Sequence, residues 1–179
     1  MSEEIELSTE HLQEELNEHA HHSGNNRLVM LIAMTAAILS VLAAIAALFA
    51  GHHANEATLS QIKASNEWSY YQAKGVKTYV LSMKVSLLQA LDKPIDPKDE
   101  EKIETLNQQQ LDIKREADRL GQEANEHLKR HVPLSAAVTF FQIGIALCAI
   151  TVLTKRRILF YGSVLVGICG IFFLIKGLI

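Results

Sequence analysis

Three long apolar stretches, separated by one charged segment, dominate the pattern of hydrophobic and polar positions along the chain. Residues 28–50, 134–153 and 158–175 contain no Asp, Glu, Lys, Arg or His. A helix needs about 20 residues to cross the hydrocarbon core of a bilayer, and only helices and closed barrels satisfy every backbone group there. The pattern therefore predicts an all-α membrane protein with three transmembrane helices.

The charged segment 51–133 predicts two further helical stretches with a heptad repeat. In each, small, apolar or uncharged polar residues recur in alternating steps of three and four, the spacing typical of a coiled coil. The first set is Leu59, Ile62, Asn66, Ser69, Ala73, Val76, Val80, Met83, Leu87 and Ala90. The second set is Ile103, Leu106, Gln110, Ile113, Ala117, Leu120, Ala124, His127 and His131. We therefore expect 51–133 to form an antiparallel helical hairpin, a coiled-coil stalk between the first and second spans.

Prolines set the predicted ends of these helices. Pro94 and Pro97 break the helix between the two heptad sets, and Asp96 can cap the second helix with Pro97 in its first turn. Only Gly51 interrupts the pattern after the first apolar stretch, so the first span is expected to continue into the stalk. Pro133 marks the return to the membrane.

The remaining segments are short. Residues 1–27 form an acidic N-terminal segment with a short amphipathic helix predicted from about Ser8. Residues 154–157 are a basic turn between the second and third spans, and residues 176–179 are a C-terminal tail. The acidic segment is rich in Glu and could dock a cytoplasmic protein partner, although such segments are more often solvated tails.

Cation placement predicts the orientation in the membrane. Arg27 precedes the first span, and the four-residue turn 154–157 concentrates three cations in the shortest loop; short loops rich in Lys and Arg stay in the cytoplasm. This places the N-terminus inside and the stalk in the periplasm. Lys129 and Arg130 favour the opposite orientation, but long loops can be translocated despite their charge.

The predicted stalk has a thin apolar strip, which suggests that it packs against copies of itself or against a partner. Small residues recur at four-residue intervals in the first span, in the sets Ala36, Ser40, Ala44 and Ala43, Ala47, Gly51. Such faces let membrane helices approach closely. The alternative is that this face packs on the second or third span of the same chain. Trp68 and Tyr71 form an aromatic cluster that suggests a packing node between stalks, and the alternative is a ligand pocket.

Four histidines are the candidate residues for a binding site. His52 and His53 follow the first span, and His127 and His131 precede the second, so an antiparallel hairpin would bring them to one level. Imidazoles on facing helices can bind zinc, copper or haem, and they can also act as a pH switch. The alternative is that they are amphipathic residues at the membrane surface.

No catalytic motif is found, so an enzyme is not expected. The first functional hypothesis is a self-associating structural scaffold or accessory subunit, with the lipid bilayer and further copies of the chain as partners and no cofactor. The second is a sensor or redox module that holds zinc, copper or haem at the histidines, and the third is an oligomeric channel. The net charge of −3 gives no reason to expect nucleic acid.

Two short motifs resemble a known family. Residues 55–57 read Asn-Glu-Ala, and residues 64–74 read Ala-Ser-Asn-Glu-Trp-Ser-Tyr-Tyr-Gln-Ala-Lys. Together with the order of one span, a helical segment and two closing spans, they resemble a bacterial membrane family described as domain of unknown function 4337. The resemblance implies a bacterial inner-membrane protein and no particular activity.

Overall fold

The computed structural model describes residues 27–179, and these form three helices and no strand. Helix α1 is Arg27–Ala90, α2 is Pro97–Thr154 and α3 is Arg157–Leu178. Each contains a stretch long and apolar enough to cross a membrane. The all-α class and the three candidate spans are therefore confirmed. The short helix expected in the N-terminal segment lies outside the described residues.

Both long helices continue past the ends of their apolar stretches. Helix α1 runs without a break through Gly51, as predicted, and α2 runs without a break through Pro133. Because proline has no N–H, α2 lacks one intrahelical hydrogen bond at this position. Pro133 nevertheless lies inside α2 and does not end it.

The turn between α1 and α2 is closed by hydrogen bonds at both helix ends. The N–H of Lys93 donates to the carbonyl of Leu88 at 2.9 Å, and that of Asp92 donates to Gln89 at 3.2 Å, the pair of bonds that defines a Schellman motif. Asp92 has φ 50°, in the left-handed region that favours glycine. At the start of α2, Asp96 Oδ1 accepts the N–H of Lys98 at 3.0 Å, so the predicted cap is confirmed.

The described chain divides into two compact units, residues 27–54 with 128–179 and residues 55–127. We call the first the span unit and the second the charged unit. The core of the span unit contains large side chains from all three helices, among them Leu39, Phe141 and Leu174. A smaller cluster joins Ile32 and Ala36 to Cys148.

The charged unit has a core of mostly small side chains. On α2 the predicted heptad set from Ile103 to Ala124 is buried or half-buried at every position, so that part of the prediction is confirmed. On α1 the prediction is wrong: all ten predicted positions are exposed. The covered face is another heptad set, Ser60, Ala64, Glu67, Tyr71, Lys74, Thr78, Leu81, Val85 and Leu88. We call it the inner seam, and the ten exposed positions from Leu59 to Ala90 the outer seam.

The physical reason for the error is side-chain size. The inner seam includes Ser60, Ala64 and Thr78, which let two helices lie close together but contribute little to a count of apolar residues. The outer seam has the larger apolar side chains, such as Ile62 and Leu87, so the apolar pattern alone predicts that it faces inward.

Candidate functional site

His131 bridges two helices through its imidazole ring. Its Nδ1 lies 2.9 Å from the carbonyl oxygen of Ala50, which can only accept, so Nδ1 carries the proton and donates. On the other side of the ring, Ser135 Oγ lies 3.2 Å from Nε2. In the neutral tautomer defined by the first bond, Nε2 accepts from the serine hydroxyl. His131 thus joins α1 to α2 within the span unit.

The other histidines are placed differently. The rings of His52 and His53 have centroids 5.4 Å apart and a tilt of 55°. His52 is exposed and His53 half-buried. His127 is half-buried and belongs to the charged unit, whereas the other three belong to the span unit.

Within residues 27–179 no three His, Cys, Asp or Glu side chains lie close enough to hold one metal ion. A metal ion bound at His131 would use the lone pair of Nε2, because Nδ1 donates to Ala50. It would then displace the hydroxyl of Ser135 from that lone pair. The zinc, copper or haem hypothesis stays a prediction, and its chemistry at His131 is restricted to this nitrogen.

The small residues of the first span face several directions. Ala36 is 2% exposed and packs beside Ile32 and Cys148, so it has almost no surface left for a second chain. Ser40 and Ala47 are half-buried, and Ala44 is exposed. At Ala36 the close packing is therefore within the chain, as the alternative interpretation holds.

A ridge of small residues on α3 was not singled out from the sequence. Ser163, Gly167, Gly170 and Gly177 are all buried. A Cβ added at Gly170 would lie 2.6 Å from Cε1 of Phe141, and one at Gly177 would lie 2.5 Å from Cγ of Leu134. These glycines let side chains of α2 lie directly on the backbone of α3. Their spacing of three, four and seven residues is the signal that could have identified them.

Polar side chains join α1 to α2 in the charged unit. Gln110 Nε2 donates to the carbonyl of Tyr71 at 3.1 Å, and Lys74 Nζ donates to Gln109 Oε1 at 2.7 Å. Near the turn, Lys84 Nζ forms an ion pair of 2.6 Å with Asp99. These contacts fix which residues of the two segments lie opposite each other.

The aromatic cluster predicted from the sequence is present. The rings of Trp68 and Tyr71 are 5.4 Å apart and meet edge to face at 76°. Trp68 is 37% exposed, whereas Tyr71 is half-buried on the inner seam. Of the two, Trp68 has the side chain with surface available for a further contact.

These features define the class of protein: residues 27–179 form three helices able to cross a membrane, and parts of the first two helices make up a charged unit. A model of the family described as domain of unknown function (DUF4337) matches residues 28–179, so the chain belongs to that family and the resemblance is confirmed. No curated protein and no solved structure matches the sequence.

Proposed function

We propose that this protein is a membrane-anchored helical stalk that associates with itself and serves as a structural scaffold or accessory subunit. The observation that carries the proposal is the outer seam. In the charged unit the large apolar side chains Leu59, Ile62, Val76, Val80, Met83 and Leu87 are each between 45% and 63% exposed. Apolar surface of this extent on a water-exposed helix marks an interaction site.

The stalk geometry is part of the proposal. Contacts pair Lys84 with Asp99, Lys74 with Gln109 and Tyr71 with Gln110. Residue numbers rise on one helix while they fall on the other, which supports an antiparallel hairpin for 51–133. The inner seam that joins the two helices includes small and polar side chains. In the hairpin alone, the larger apolar side chains of the outer seam therefore remain exposed.

The membrane orientation is proposed on charge. Arg27 and the cations of the turn 154–157 support a cytoplasmic N-terminus and a periplasmic stalk in the bacterial inner membrane. The accessible small residues Ser40, Ala44 and Ala47 and the aromatic Trp68 remain candidate contacts between copies.

The oligomer mass of the full chain in lipid nanodiscs tests this function. Native mass spectrometry should show two or more copies per particle, and a monomer at every protein concentration would contradict it. Trp68 lies outside the outer seam, so Trp68→Ala tests a separate contact between copies and should lower the oligomer fraction. An unchanged fraction would remove Trp68 from the interface and leave the rest of the proposal in place.

A further inference from the structure

The outer seam forms a complete heptad face that the described chain does not cover. With about 100° between successive helical residues, the centres of the outer and inner seams lie about 150° apart around α1. The α2 segment that packs on the inner seam therefore cannot reach the outer one. All ten outer positions, from Leu59 to Ala90, are exposed.

Residues 27–179 offer one matching surface for this face. In residues 97–127, Leu111 is the single large apolar side chain that remains exposed, so the outward side of α2 has no apolar strip. The surface with the same length and the same spacing is the outer seam of another copy.

We infer that the outer seams of two copies pack against each other in parallel and in register. This inference rests on the proposed self-association and specifies its interface. Leu59, Asn66, Ala73, Val80 and Leu87 occupy one core position of the heptad, and Ile62, Ser69, Val76, Met83 and Ala90 occupy the other. Each residue then meets its own counterpart, as in an interface with two-fold symmetry.

Charges beside the seam favour the parallel direction. Lys63, Lys77 and Lys84 all flank the seam on one side, and the neutral residues Gln72 and Tyr79 flank it on the other. In a parallel pair these two sides meet, so Lys77 faces Gln72 of the second copy. In a fully overlapping antiparallel pair the lysine sides meet, and Lys63 would face Lys84, whose amine is also paired with Asp99 of its own chain. Copies inserted into one bilayer with one orientation also present their seams in the same direction.

Asn66 sets the register. It is exposed at a core position of the seam, and an asparagine in a coiled-coil core bonds best to the same residue of a parallel partner. A slip by one heptad would place its amide against Ala73 or Leu59. In-register pairing therefore satisfies the one side-chain amide in the seam.

Disulfide cross-linking of the full chain in membrane vesicles tests the inference. Ile62→Cys, Val76→Cys and Met83→Cys place one thiol each at positions that face themselves across a parallel seam, within the Cα separation of about 7 Å that a disulfide spans. Mild oxidation should give cross-linked dimers at all three positions at least fivefold above the controls. Gln61→Cys and Gln89→Cys are exposed controls outside the seam, and the unaltered chain gives the background of Cys148 and Cys169.

The outcomes separate this inference from the function on which it rests. Cross-links confined to Val76, near the middle, would indicate an antiparallel pair and overturn the inference. If seam and control positions cross-link equally in a particle with oligomeric mass, the outer seam is not the interface, but the chain still self-associates. A monomeric mass would overturn both the seam interface and the proposed self-association. Val80→Asp should reduce the oligomer fraction at least tenfold with unchanged helical content by circular dichroism, and an unchanged fraction would also overturn the inference.

Discussion

The side-chain amide of Gln110 lies against the bare backbone of Gly75. A Cβ added at Gly75 would stand 2.6 Å from Gln110 Nε2, closer than real Cβ contacts allow. The same nitrogen donates to the carbonyl of Tyr71 one turn earlier. Gln110 therefore makes a close contact and a hydrogen bond at the same point between α1 and α2. This polar residue of the predicted α2 seam thus has a defined partner, the carbonyl of Tyr71.

Gly75→Ala is expected to give no net gain in the stability of the charged unit. Alanine favours a helix over glycine by about 1 kcal/mol, but here it displaces Gln110 and removes a hydrogen bond of similar worth. Gly121→Ala is the matched control, because nothing lies within 4 Å of its added Cβ, and it should stabilise the unit by about 1 kcal/mol. Hydrogen exchange of peptides from residues 97–127 measures both changes.

A double variant of Gly75 and Gln110 shows whether the Gln110 side chain is what prevents the gain in stability. If Gln110 is the obstacle, Gly75→Ala should become stabilising by about 1 kcal/mol when Gln110→Ala is already present. A gain for Gly75→Ala alone that equals the gain at Gly121 would contradict the contact.

Asp92→Gly should stabilise the turn between the two helices. Asp92 has φ 50°, which a side chain disfavours and glycine adopts freely, so about 1 kcal/mol is the expected gain. Asp92→Val, a β-branched residue, should have the opposite effect. Protease cleavage within residues 91–96 measures the change, and equal cleavage of the two variants would show that the turn does not hold this geometry.

Gly170→Ala should destabilise the span unit by about 1 to 3 kcal/mol. The added methyl group would meet the ring of Phe141, which is fully buried and cannot move aside freely. Gly162→Ala, also on α3, meets nothing within 4 Å and is expected to be tolerated. Thermal unfolding in the same detergent compares them, and equal midpoints would argue against this packing of α3 on α2.

His131→Ala should destabilise the span unit by about 1 kcal/mol, because the imidazole bonds to Ala50 and Ser135 are lost. The thermal midpoint in detergent measures the effect, with His52→Ala as an exposed control. A zinc titration of the same proteins shows whether His131 has only a structural role or also binds a metal ion. Micromolar zinc binding that disappears in His131→Ala would support the metal hypothesis.

Lowering the pH should reduce the stability of α2 around Glu116. Bonds of 2.9 and 2.6 Å from Arg119 hold the pKa of the Glu116 carboxyl below its usual value. Since the folded pKa is lowered, the stabilisation is present above the unfolded pKa and is lost as pH falls through the folded one. Arg119→Gln should raise the pKa of Glu116, as measured by NMR titration of its carboxyl in detergent. An unchanged pKa would show that the pair does not form in solution.

The sequence predicts the helices of this protein better than the faces they bury. The apolar stretches, the break at Pro94 and Pro97, and the cap at Asp96 follow from backbone chemistry that acts within a few residues. The buried face of α1 does not, because Ser60 and Ala64 pack through their small size. The position of Gln110 over Gly75 depends on how two helices approach each other, which no local pattern contains.

The presence of two seams on α1 has a consequence for how this chain can change in length. Removing one residue between 59 and 75 would turn every later position by about 100° around the axis and place Lys77 and Lys84 where Val76 and Met83 now lie. Residues 91–96 carry no such periodicity and could lengthen without harm to either face. Related sequences should therefore gain and lose residues in that turn, and keep the spacing from Leu59 to Ala90 unchanged.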